Sequence, residues 1–287
     1  MSTAETKSAT SSPEQLYLEL LKSVLTRELP GDRELIEVPF SPAARPVRRR
    51  LAHAYVQRFL GSQALTLARY AQQSSTTGAR GGSWPRSAES MIGRARLDNV
   101  QHCVESVVRE GVPGDLIETG VWRGGATILM RAVLAAYGDR ARRVWVADSF
   151  EGLPPPDPES FPADRGDKHH TKEELSVSLE AVQANFSKYG LLDEQVRFLK
   201  GWFKDTLPDA PIEKLSVMRL DGDMYESTIQ AFGALYPKLS PGGFVIVDDY
   251  GEIEQARQAT DDYRREHGIT EPIHDIDGSG VFWRRTT

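Results

Sequence analysis

Four short apolar runs beyond residue 110 each end on a carboxylate. Asp115-Leu116-Ile117 leads into Glu118, and Arg143 to Ala147 leads into Asp148. Leu215 to Leu220 ends at Asp221, and Gly243 to Val247 ends at Asp248-Asp249. Amphipathic, helix-length stretches separate them: Ser90 to Glu110, Thr127 to Tyr137, Glu173 to Tyr189, Ser227 to Tyr236 and Glu254 to His267. Val196 to Leu199 and Ser279 to Arg284 add two strands, and Lys204 to Leu207 a short turn or helix. Strands alternating with helices are βαβ units, so the expected fold is α/β: a mostly parallel central sheet with helices on both faces. In such a sheet ligands bind outside the C-terminal strand ends. The four acids therefore fall where a ligand would sit.

Composition narrows the classes of function. Lys plus Arg is 35 and Asp plus Glu is 41, a formal charge of −6, which argues against a general nucleic-acid binder. No apolar run approaches the ~20 residues needed to span a bilayer, and Met1 to Pro13 lacks the apolar core of a signal peptide. The single cysteine, Cys103, excludes an internal disulfide and a cysteine-based zinc site, and it fits a reducing cytoplasm.

The N-terminal third reads as an extension, residues 1–83, ahead of a domain at 84–287. A disordered start leads to a helix over Glu14 to Thr26, opened by Pro13. Residues 29–46 carry four prolines and read as a linker. Val47 to Tyr70 reads as a second helix, with Arg48, Arg49, Arg50 and Arg58 on a basic edge. That edge would face solvent or a dimer mate, with an anionic membrane surface as the alternative. Residues 72–83, rich in Gln, Ser, Thr and Gly, mark the boundary.

Individual residues suggest chemistry. Glu118-Thr119-Gly120-Val121-Trp122-Arg123-Gly124-Gly125 joins strand to helix with the spacing G-x-x-x-G-G, unlike the dinucleotide G-x-G-x-x-G. An acid before the first glycine suits a cationic ligand better than a pyrophosphate. Asp148 can accept ribose hydroxyls or cap a turn, and Ser149 and Phe150 can flank an adenine ring. Asp221, Asp248 and Asp249 form an all-oxygen set suited to a hard ion such as Mg²⁺, or Asp248 and Asp249 cap the next helix. Asp223 can serve as a base or as a cap. Residues 151–172 form a Pro/Asp-rich loop that includes His169-His170 and reads as a lid. Trp202 can stack on adenine or, like Phe203, join the core.

These segments together resemble the macrocin O-methyltransferase (TylF) family. The resemblance is carried by Ser90-Met91-Ile92-Gly93, Arg96-Leu97-Asp98-Asn99, Leu116 to Gly125, Val146 to Phe150, Leu220-Asp221-Gly222-Asp223-Met224-Tyr225-Glu226-Ser227 and Val247-Asp248-Asp249-Tyr250. It implies a Rossmann-like class I S-adenosylmethionine fold, Mg²⁺ dependence, dimers or higher homo-oligomers, and methylation of sugar hydroxyls on secondary metabolites. The combined expectation for the cofactor is contact at Met91, Glu118, Thr119, Gly120, Val121, Trp122, Gly125, Asp148, Ser149, Phe150, Gly201, Trp202, Phe203 and Asp221. Asp221, Asp248 and Asp249 are the expected metal ligands, and Asp221 or Asp223 the expected general base. A catechol or other phenolic acceptor, an NAD-linked oxidoreductase and a non-catalytic scaffold are the rival readings.

Overall fold

The computed structural model describes residues 11–29, 33–37, 68–72 and 87–287. The expected disordered start, most of the linker, residues 47–67 of the expected basic helix and the boundary segment from 73 lie outside the described residues.

The N-terminal helix α1 spans Pro13–Leu25. Ser12 and Gln15 close its first turn reciprocally, each side chain accepting the other's backbone N–H, and Pro13 occupies the first turn where no N–H is needed. Two strands follow, β1 (Arg33–Glu37) and β2 (Ala68–Gln72), paired antiparallel with Arg33 opposite Gln72. Here the structure departs from expectation, since the sequence reads as linker at 33–37 and as the end of a helix at 68–70. The pairing partner of each strand is remote in sequence, so local periodicity carries no sign of it.

The remaining elements form one layered unit. They are α2 (Gly93–Arg109), β3 (Asp115–Thr119), α3 (Gly125–Ala136), β4 (Val144–Asp148), α4 (Leu179–Lys188), β5 (Val196–Lys200) and α5 (Phe203–Thr206), then β6 (Leu215–Leu220), α6 (Tyr225–Leu235), β7 (Leu239–Val247), α7 (Glu254–Glu266), β8 (His274–Asp275) and β9 (Val281–Arg284). The seven strands lie in the order β5-β4-β3-β6-β7-β9-β8. All neighbours from β5 to β7 run parallel, and β9 runs antiparallel to β7 and β8.

Period-two alternation divides the strand residues between two cores. Leu116, Val144, Val146, Val217, Phe244 and Ile246 face one side, with α1, α2, α3 and Phe186 of α4. Ile117, Trp145, Ala147, Met218, Val245, Val247 and Trp283 face the other, with α6 and Tyr263 of α7. Helix α1 packs on α3 and α2, burying Leu18, Leu21 and Leu25 in the first core while Leu16 and Leu20 remain exposed. Full burial of such a side chain contributes about 1.5–3 kcal/mol.

Helix α1 should therefore stabilise the layered unit rather than hang from it. Leu18→Ala is expected to lower the unfolding free energy by about 2–5 kcal/mol. Leu20→Ala, on the exposed face, should change it by less than about 0.5 kcal/mol. Urea denaturation of both variants, followed through core tryptophan fluorescence, checks the contrast.

Candidate active site

Strand order reverses between β3 and β6, so the connections leaving these strands diverge and open a crevice at their C-terminal ends. The turn after β3 forms one wall. Gly120 there has φ +81°, and a Cβ on it would lie 1.8 Å from the Asp221 carbonyl oxygen; only glycine fits where β3 and β6 approach so closely. Asp148, at the end of β4, accepts a hydrogen bond from Val121 N at 2.8 Å and another from Phe150 N at 2.8 Å. It thus ties its own strand end to the glycine turn, and each oxygen retains acceptor capacity.

The crevice is a cavity of about 530 Å³. Of the expected site residues, Met91, Glu118, Gly120, Val121, Trp122, Gly125, Asp148, Ser149, Gly201, Trp202, Phe203, Asp221, Asp223, Asp248 and Asp249 line it. Thr119 and Phe150 do not. Thr119 is buried in β3, where its carbonyl accepts the Asp221 N–H at 2.9 Å. Phe150 has φ +60°, which reverses the chain and turns its ring into the core against Phe198; its backbone, not its ring, serves the site. The Phe150 ring, expected to flank adenine, therefore lies in the core and outside the cavity lining.

A buried cation that sequence reasoning missed organises the acids. Arg219 on β6 is 1% exposed, and its guanidinium bonds Glu118, Asp221 (2.8 Å) and Asp248. Burial opposes its charge, but Asp248, Asp221 and Glu118 outweigh burial and hold it protonated. Arg96 of α2 bonds the other Asp248 oxygen at 2.5 Å and Asp277, in the β8–β9 turn, at 3.0 Å. Both arginines line the cavity. A charged residue inside an otherwise apolar strand, as Arg219 is in Leu-Ser-Val-Met-Arg-Leu, was the available signal.

Acid still exceeds base. Burial pushes Glu118 up to about 8 despite Arg219, and Asp248 up to about 6 despite both arginines. Burial and mutual repulsion also raise Asp223 and Asp249. Glu118 Oε2 and Asp249 Oδ2 are buried with no hydrogen-bond partner. Asp221, Asp248 and Asp249 each offer an oxygen within 4.8 Å of the others, the metal-capable group among the described residues. Three clustered carboxylates with one orphaned oxygen fit a hard divalent cation such as Mg²⁺. The unpartnered Glu118 oxygen fits a cationic or N–H-donating part of a ligand.

The expected lid contains three 3₁₀ turns rather than extended loop alone, at Pro162–Asp164, His169–Thr171 and Glu173–Leu175. Asp164 is fully buried and accepts the Tyr225 and Glu226 N–H groups at 2.7 and 2.9 Å, satisfying the N-terminus of α6. Trp122 Nε1 donates to the Glu174 carbonyl at 2.8 Å. His169 pairs with Asp167 at 2.6 Å and does not belong to the metal-capable group.

Known proteins resemble this chain in sequence and in fold. The family described as Macrocin-O-methyltransferase (TylF) matches residues 14–285. The 8-demethyl-8-(2,3-dimethoxy-alpha-L-rhamnosyl)-tetracenomycin-C 4'-O-methyltransferase of Streptomyces olivaceus is 61% identical over 207 residues, 72% of this chain and 79% of the relative. Mycinamicin III 3''-O-methyltransferase of Micromonospora griseorubida is 54% identical over 209 residues, 72% of this chain and 82% of the relative. The solved structure of the O-methyltransferase NovP superposes with a TM-score of 0.80 at 44% identity, covering 96% of this chain and 100% of that one. The calicheamicin methyltransferase CalS11 shares the fold, with a TM-score of 0.54 at 18% identity over 96% of this chain and 94% of that one.

The raised Glu118 carboxyl has a consequence for stability. Between its ordinary value of 4.5 and its folded value of about 8, the folded state holds a proton that unfolding releases. The ligand-free protein should thus lose stability as pH rises through this window. Glu118→Gln should flatten the decline, as read from melting temperatures across the pH series. Arg219→Leu leaves its carboxylate partners uncompensated and should cost about 3–5 kcal/mol by chemical denaturation at neutral pH.

Proposed function

The chain belongs to the macrocin O-methyltransferase family and is an S-adenosylmethionine-dependent O-methyltransferase, and on that premise we propose that it methylates a sugar hydroxyl of a glycosylated secondary metabolite with the help of Mg²⁺. The observation that carries the metal part is the convergence of Asp221, Asp248 and Asp249 at the β6 and β7 ends of the cavity. The sugar acceptor is supported by the 61% identity to a relative named for a rhamnosyl-tetracenomycin. The β3 and β4 ends would take the cofactor and the β6 and β7 ends the acceptor.

Bound S-adenosylmethionine supplies the methyl group on a sulfonium, and bound Mg²⁺ would increase the acidity of the acceptor hydroxyl. The chain's residues supply position and proton acceptance. Glu118 offers its unpartnered oxygen to the cationic part of the cofactor. Asp148, already aligned by two backbone amides, offers its remaining lone pairs to the ribose. Trp202 and Ser149 border the adenine side. With the acceptor oxygen taking the methyl group in place of the cofactor sulfur, the hydroxyl proton would pass to Asp221 or Asp223. Asp223 lines the cavity yet stands outside the metal-capable group, whereas Asp221 Oδ2 is engaged by Arg219. Precise alignment matters because little covalent chemistry is left for the protein to perform.

The two aspartates are separable. Asp221→Asn should weaken Mn²⁺ binding, measured by titration calorimetry, and cut turnover by about 10²–10⁴-fold. Asp223→Asn should cut turnover while leaving Mn²⁺ affinity intact. S-adenosylhomocysteine affinity should change little in either. Unchanged turnover in Asp221→Asn, with a glycosylated acceptor in hand, would remove that residue from the mechanism.

A further inference from the structure

Residues 87–91 run along the cavity just ahead of α2, and Glu89, Ser90 and Met91 line it. This strap has no regular structure, yet its backbone is held from separate elements. The carbonyl of Leu25, at the C-terminal end of α1, accepts both Glu89 N (3.0 Å) and Ser90 N (3.1 Å). A helix-end carbonyl that would otherwise lack a partner is thereby satisfied by the strap. Arg27 donates Nε and Nη2 to the Ser87 carbonyl at 3.2 and 3.1 Å. Arg123, in the glycine turn, donates to the Ala88 carbonyl at 2.8 Å.

The side chain of Glu89 gathers these contacts. It is 1% exposed, so an unpaired charge there would be costly. Arg27 Nη2 reaches both of its oxygens at 2.9 and 3.0 Å, Lys188 reaches Oε1 at 3.3 Å, and the Tyr189 hydroxyl donates to Oε2 at 3.0 Å. Arg27 itself has φ +58°, an uncommon conformation for arginine, which lies where the chain leaves α1. On its other side the strap meets the cofactor turn. A Cβ on Gly125, the first residue of α3, would lie 2.5 Å from the Glu89 carbonyl oxygen and 2.6 Å from Ser90 Cβ. No slack separates strap and turn, so a displaced strap must displace the turn.

We infer that Glu89 is a positioning residue for the cofactor site, and that through its ion pair with Arg27 the N-terminal helix fixes one wall of that site. The strap has no secondary structure of its own, so these contacts are what hold Ser90 and Met91 against the cavity. The glycine turn, tied to Asp148 through Val121 N, forms the adjoining wall. The latch rests on S-adenosylmethionine occupying this cavity and is independent of the metal and of the acceptor.

The test is titration of S-adenosylhomocysteine into the full chain and its variants, with hydrogen exchange followed at 87–91. Arg27→Ala and Glu89→Gln should each weaken binding by about tenfold, as expected when an alignment is lost at a distance from the reacting atoms. In the unaltered protein, ligand should slow exchange of the Glu89 and Ser90 amides, and Arg27→Ala should abolish much of that slowing. Lys22→Met is the control: Lys22 pairs with Glu19 within the same helix and anchors that helix to Asp98 of α2, not to the strap, and should leave the affinity unchanged. A folded Arg27→Ala protein with unaltered affinity would overturn the latch. Equal weakening by Lys22→Met would overturn it too, since general loosening of α1 would then suffice. Should the first two variants fail to fold, Tyr189→Phe removes one hydrogen bond from Glu89 and should weaken binding about threefold; wild-type affinity there would count against the proposal. Failure of the unaltered protein to bind S-adenosylhomocysteine would instead overturn the occupancy on which the latch rests.

Discussion

The guanidinium of Arg219 lies between Glu118, Asp221 and Asp248, and it lets three strand ends carry carboxylates into one crevice. Without it, the ends of β3, β6 and β7 would repel across a low-dielectric gap. With it, β3 and β6 approach until the Gly120 position has no room for a side chain. Arg96 extends the compensation outward to Asp277, so the β8–β9 turn at the far edge of the sheet also bears on Asp248. Ser279 Oγ adds a bond to the Asp248 carbonyl at 3.2 Å, which holds the backbone of the same residue. The site is thus built from the inside of the sheet, and its acids are supported by buried cations rather than by solvent.

A second constraint comes from the cover. Asp164 reaches from the long loop to satisfy the two exposed amides of α6, immediately beside Asp223. Ser149 accepts the Glu151 N–H at 3.0 Å and donates to the Gly152 carbonyl at 2.6 Å, shaping the start of the same loop. The loop therefore leaves β4 in a fixed direction and lands on a helix N-terminus, where a carboxylate is doubly favoured by free N–H groups and by the helix dipole. Gly152, Leu153, Pro154 and Pro155 consequently form part of the cavity wall. The segment that receives Asp164, 225–226, directly follows Asp221 and Asp223, so the cover and these two cavity acids share one stretch of backbone.

Much of this is legible in the sequence because its signals are local. Apolar runs ending in acids locate β3, β4, β6 and β7, and the G-x-x-x-G-G turn locates the crevice. The strand-end rule then collects Glu118, Asp148, Asp221, Asp248 and Asp249 at one edge of the sheet from residue order alone. What escapes is non-local. Arg219 lies mid-strand, where its neighbours give no hint that three acids converge on it. Arg96, Asp164 and Asp277 act through partners 152, 61 and 181 residues away. The strands β1 and β2 pair across a long gap, and β8 is too short to show a period. The placement of the Phe150 ring is likewise hidden from sequence, because a positive φ in a non-glycine residue has no local sequence signal and the ring packs against the distant Phe198.

The charge of the cavity explains why a sulfonium cofactor suits it. Among the described residues ten acids line it, Glu118, Asp148, Asp221, Asp223, Asp248 and Asp249 among them, against Arg96, Lys204 and Arg219. Burial first, and then the neighbouring Asp221 and Asp248, disfavour the charged form of Glu118 and raise it to about 8 despite Arg219. A cationic ligand beside Glu118 lowers the cost of ionising it, so binding and ionisation favour each other. In the proposed reaction, methyl transfer would leave a neutral thioether in place of the sulfonium, and the hydroxyl proton would go to Asp221 or Asp223. Both changes reduce the opposed charge in the crevice together, so the product state no longer has the electrostatic attraction that drew the cofactor in. The same acids that favour entry of the charged cofactor thereby favour departure of its neutral product, a directionality that follows from charge balance and requires no moving part.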